Sequence, residues 1–153
     1  MKLATIANGT RDGALVVISR DGERYLEARE TAPTLQAAVD SWADTEPKLR
    51  ALAATLDQRG GSPAGDIRFL APLPRALQWL DGSAFKSHGD LMERVFGIDP
   101  VPQDKPLMYQ GMSHRFLSAT EDVEFLREED DIDFEGELGI ITDDVPMGTS
   151  AAA

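Results

Sequence analysis

The stretch Asp133-Phe134-Glu135-Gly136-Glu137-Leu138-Gly139-Ile140-Ile141 sets two glutamates two residues apart inside an otherwise apolar run. Successive side chains of a β-strand point to opposite faces. A strand here therefore places Ile132, Phe134, Leu138 and Ile140 on one side and Asp133, Glu135 and Glu137 on the other. The first face reads as core. The second gathers like charges, which repel one another unless they meet water, a cation or a raised pKa. A hard divalent cation, Mg²⁺ or Ca²⁺, relieves the repulsion because both take carboxylate oxygen. A solvated strand edge whose charges discourage association is the other solution, and spacing alone leaves both open.

Working outward, a chain of 153 residues holds one ordinary domain, or a small domain joined to part of another. The absence of cysteine excludes a disulfide framework and a thiolate metal site, and it fits a reducing compartment. Met1 to Ile6 lacks the apolar run of a secretory signal and no segment has the length to cross a membrane, so a soluble cytoplasmic protein is expected. The formal charge of -12 argues against nucleic acid and against an acidic membrane surface. It also makes any site for an anionic substrate depend on locally placed cations or a bound metal.

Leu3 to Ala7 and Ala14 to Ser19 read as strands joined through Asn8-Gly9 and Asp12-Gly13, dipeptides that supply the positive φ of a hairpin turn. Asp21-Gly22 repeats the signal before a third strand, Glu23 to Ala28, so a small β-meander opens the chain. Thr34 is placed to cap a helix carrying Leu35, Ala38, Val39 and Trp42 on a core stripe. The stripe continues through Leu49, Leu52, Ala53 and Leu56. Pro47 divides it into two helices, the second starting near Thr45 with the proline in its first turn. Gln58 to Gly65 has linker composition and marks the expected boundary between a domain over 1–65 and a second over 66–153. Phe69 to Pro74 reads as extended, Asp90 to Phe96 as a short helix, Asp99 to Pro106 as loop, and the acidic run from Glu121 onward as solvated surface.

Ala71-Pro72-Leu73-Pro74-Arg75-Ala76-Leu77-Gln78-Trp79-Leu80-Asp81-Gly82-Ser83-Ala84-Phe85-Lys86-Ser87-His88 and, later, Pro106-Leu107-Met108-Tyr109-Gln110-Gly111 together resemble the start of the catalytic domain of the fumarylacetoacetate hydrolase family. Ile132 to Glu137 resembles that family's metal-binding strand. Met1 to Thr10 and Thr142 to Gly148 are similar to its bacterial members. The resemblance implies an α+β chain: a small N-terminal β/α domain, then the first part of a mixed β-sandwich roll. It implies that Glu135 and Glu137 hold Mg²⁺ or Ca²⁺, with Mn²⁺ as a further candidate, and that Asp81 adds a carboxylate. His88 matches the general base on the attacking water and Tyr109 a substrate contact beside a glycine-containing turn.

The implied reaction is cleavage of a carbon–carbon bond in a β-diketone or acylpyruvate acid, as in aromatic amino acid catabolism, by a homodimer. A metal chelated by the 2-oxo acid polarises the carbonyl and stabilises the departing enolate, while a histidine near its ordinary pKa deprotonates water. Hydration, isomerisation or decarboxylation of 2-oxo acids are the alternatives within the family. Phe85 stands where relatives often carry tyrosine, and the family's next metal carboxylate lies in an Asn-Asp motif beyond Ala153. The chain accordingly reads as the N-terminal portion of a longer enzyme. The readings from other classes are a catalytically incompetent fragment and a non-enzymatic acidic binding module.

Overall fold

The computed structural model describes residues 1–99, 106–130 and 132–150. The chain is α+β and divides into two compact units, Met1–Asp122 and Val123–Ala153.

The first unit is built on an antiparallel four-stranded sheet in the order β1 (Lys2–Ile6), β2 (Ala14–Ile18), β3 (Arg24–Glu27), β4 (Ser62–Pro63). The meander expected from the Gly-containing turns is present: Leu3 pairs with Val17 and Thr5 with Leu15, and Val17 pairs in turn with Leu26. Gly13 shows why the turn needs glycine. Its φ is 64°, and a Cβ there would lie 2.6 Å from the Ile6 carbonyl oxygen, which backbone cannot vacate cheaply.

Two helices cover one face of the sheet. In α1 (Leu35–Asp40), Thr34 accepts a hydrogen bond from the Ala37 amide at 3.1 Å, the cap its position promised. The second helix, α2 (Trp42–Arg59), starts three residues earlier than expected and carries Pro47 in its second turn. The break lies instead at Ser41, and a buried hydroxyl bridges it: Thr45 donates to the Ala38 carbonyl at 2.7 Å. Trp42, read as part of the core stripe, is instead the first residue of α2 and is 41% exposed. Leu15, Val17, Ala28, Leu35, Ala38, Leu49 and Leu56 form the core between sheet and helices. Removing their apolar surface from water at about 25 cal/mol per Å² is the main force holding the unit together.

The glycine-rich stretch after α2 stays on the sheet. Gly60 ends the helix at a φ of 73°, and β4 pairs with β3 at Arg24↔Pro63 and Tyr25↔Ser62. Gly61 passes so close to β3 that a Cβ would meet the Tyr25 carbonyl oxygen at 2.3 Å. The extended segment that follows runs back along β1. Phe69 bridges to Ile6, the Leu70 amide donates to the Thr5 carbonyl, and the fully buried Thr5 hydroxyl donates to Pro72 at 2.6 Å. Arg75 then clasps Asp12 with two hydrogen bonds of 2.8 and 2.6 Å.

Beyond it lie β5 (Leu80–Ser83), α3 (Lys86–Phe96) and β6 (Leu107–Gln110), with β5 and β6 paired as a two-stranded antiparallel sheet. The helix expected over Asp90 to Phe96 begins four residues earlier. Most of the loop expected over Asp99 to Pro106, and Asp131 of the acidic run, fall outside the described residues.

In the Val123–Ala153 unit the reading of Asp133 to Ile141 as a strand is corrected: the described residues 132–150 form no ladder with one another. The side chains assigned to a core face are exposed, Phe134 by 90% and Leu138 by 98%. Alternation of apolar and acidic residues defines two faces only once a neighbouring strand satisfies the backbone, and no described segment of this unit does so. The acidic run is solvated as expected at Asp122, Glu124, Glu128 and Glu129. Glu121, in the first unit, is half-buried and paired with Arg115.

Candidate active site

Asp81 and Tyr109 come together through strand register. They are direct partners across β5 and β6, which puts both side chains on one face of the two-stranded sheet, and the Tyr109 hydroxyl donates to Asp81 Oδ2 at 2.9 Å. The Asp81-Gly82 dipeptide, a turn signal in isolation, thus lies inside a strand. Tyr109 is held by its neighbours. The Trp79 ring meets it edge-on with centroids 6.2 Å apart and packs on Phe116 at 5.4 Å, while Trp79 Nε1 donates to the Met112 carbonyl at 3.0 Å.

Gly111 makes this arrangement possible. A Cβ at that position would fall 1.8 to 2.5 Å from indole carbons, so the chain leaving β6 passes the ring only with hydrogen there. The glycine expected beside Tyr109 therefore serves the aromatic packing behind the tyrosine.

His88 lies in the first turn of α3 and is exposed. The seven-residue spacing from Asp81 spans the end of β5, the two-residue connection Ala84-Phe85 and the helix start. Phe85 precedes the helix with no side-chain cap, and Lys86 instead pairs with Asp90 one turn on at 2.7 Å, a hydrogen bond that raises the lysine pKa. The remaining expected ligands, Glu135 and Glu137, belong to the other unit and are exposed. Asp81, Glu135 and Glu137 offer carboxylate oxygen, the donor chemistry that Mg²⁺, Ca²⁺ or Mn²⁺ takes. Within either unit, among the described residues, no three acidic or histidine side chains gather closely enough to hold such an ion.

Sequence reasoning missed the role of Trp79 as the packing centre behind Tyr109 and the clasp of Arg75 on Asp12. Both rest on contacts between residues distant along the chain, and neither leaves a periodic or spaced signal. No described helix is long and apolar enough to cross a membrane.

Residues 1–75 match the family model described as Fumarylacetoacetase N-terminal domain 2. The matched span ends at Arg75, where the extended segment has finished its return along β1, and it stops short of Asp81. No curated protein matches the chain.

Proposed function

We propose, from the match of residues 1–75 to the fumarylacetoacetase N-terminal domain model, that the protein serves a divalent-metal-dependent hydrolase cleaving a carbon–carbon bond in an acylpyruvate or other β-diketone acid. The observation that carries the reading beyond the matched domain is the Tyr109 hydroxyl donating to Asp81 on the paired strands β5 and β6. These are two of the residues that the resemblance names.

In this reading Asp81, Glu135 and Glu137 are the carboxylates that the resemblance assigns to Mg²⁺, Ca²⁺ or Mn²⁺. When bound, the cation supplies positive charge to a substrate carbonyl and to the enolate that departs. An imidazole nitrogen of His88 takes a proton from water, whose oxygen adds to the acyl carbonyl carbon. The carbon–carbon bond breaks, the acyl group leaves as a carboxylic acid, and the electron pair passes to the 2-oxo acid fragment as its enolate, which is then protonated. The Tyr109 hydroxyl, held by the aromatic packing of Trp79, would pass its one hydrogen bond from Asp81 to the developing oxyanion or to a substrate carboxylate. The native enzyme is expected to be a cytoplasmic homodimer.

The test is turnover of an acylpyruvate with Mg²⁺, followed by loss of its enol absorbance. His88→Ala is expected to lower the rate about 10²- to 10⁴-fold. Turnover untouched by this change would sink the assignment. A second reading, that the chain works only with a complementary polypeptide, is favoured by the exposed Phe134, Leu138 and Ile140. Activity that appears only when such a polypeptide is added would establish it.

A further inference from the structure

A cavity of about 370 Å³ in the first unit has none of Asp81, His88 and Tyr109 in its lining and is lined by Arg11, Arg68, Arg75, Arg115, Phe116 and Ser118, among others. Four of the chain's fifteen basic residues thus converge on one cleft of a protein that carries 27 acidic ones. Two of the four are neutralised: Arg75 by Asp12 and Arg115 by Glu121. Arg11 and Arg68 make no ion pair among the described residues. Arg11 acts on Asp12 through space, but both oxygens of that carboxylate are engaged by Arg75. Ser118 is buried and its amide is taken by Glu121, while its hydroxyl has no hydrogen-bond partner among the described residues.

The cleft therefore presents two uncommitted guanidinium groups, a free hydroxyl and the aromatic ring of Phe116. Guanidinium forks match oxyanions with paired N–H donors, and the balance of charge here is opposite to that of the whole chain. We propose that this cleft is a binding site for a small oxyanion, a carboxylate or phosphate group, gripped by Arg11 and Arg68. The volume suits a small metabolite. The cleft joins the loop after β1, the strand-like return at Arg68 and the segment after β6, so an occupant would tie together three parts of the first unit far apart in sequence.

Calorimetric titration of the full chain with inorganic phosphate and, separately, with succinate tests the site. Binding of either at millimolar or lower concentration is expected, with phosphate alone identifying a phosphate site and succinate alone a carboxylate site. Arg11→Gln and Arg68→Gln, both at exposed positions, are each expected to weaken that binding at least tenfold with the circular dichroism spectrum unchanged. Arg29→Gln, outside the cleft, is expected to leave it as it is. No binding of either anion, or equal loss in all three variants, would overturn the proposal.

Discussion

The β1–β2 hairpin and the stretch from Ile132 to Ile141 are written in the same alphabet, short runs of β-branched and apolar residues broken by glycine, yet they end differently. In the hairpin Ala14 to Ile18 lies between two partner strands and beneath α2, and Leu15, Val16 and Val17 are buried. In the later stretch Phe134 and Leu138 face solvent. A strand is stabilised by its neighbours, through ladder hydrogen bonds and cross-strand side-chain pairs. The difference therefore lies in what surrounds each run more than in the run itself.

The sharpest way to break the comparison is to remove one buried and one exposed leucine. Leu49→Ala, in α2 against β2, is expected to cost about 2 to 5 kcal/mol in urea unfolding followed by circular dichroism, whereas Leu138→Ala should stay within about 0.5 kcal/mol. A large loss from Leu138→Ala would mean that the later stretch is packed as a strand after all. A smaller effect is expected from Thr45→Val, which deletes the hydroxyl joining α2 to the Ala38 carbonyl; about 1 to 2 kcal/mol in the same assay is the expected loss.

The smallest effect concerns pH. Hydrogen bonding from the Arg75 guanidinium holds Asp12 below the usual carboxylate range. The folded chain therefore binds that proton less readily than the unfolded one. The pair's stabilisation is present above the unfolded value of about 3.9 and is lost as pH falls through the lower folded value. Both side chains are more than a third exposed, so solvent screening keeps the gain small. Arg75→Gln should lower the thermal midpoint slightly at neutral pH and converge with the unaltered chain in strong acid. A gap that persists there would assign the effect of Arg75 to packing.

Much of the first unit was legible because its signals are local. Asn8-Gly9, Asp12-Gly13 and Asp21-Gly22 announce turns that the backbone makes at positive φ, and Thr34 announces a helix start by the hydroxyl it offers to Ala37. The break between α1 and α2 was harder to place. Pro47 is tolerated within the second turn, where it forgoes one hydrogen bond, and Ser41 marks the actual interruption. Of the candidate site, Asp81 and Tyr109 were named from a motif, but their contact depends on a register of β5 against β6 that the motif does not contain. His88 was named in the same way, and its place in the first turn of α3 followed only from the fold.

By itself, then, the sequence determined the opening meander, the helix cap and the acidic and cysteine-free character. The meander and the cap depend on neighbours within a turn, and the charge and cysteine count are totals over the chain. Only the tertiary structure decided that Trp42 faces out, that Gly111 makes room for the Trp79 indole behind Tyr109, that Arg75 closes on Asp12, and that four arginines line one cleft in an acidic chain. Those outcomes join residues far apart along the chain. Their free energies arise from packing and charge in space, for which linear spacing carries no record.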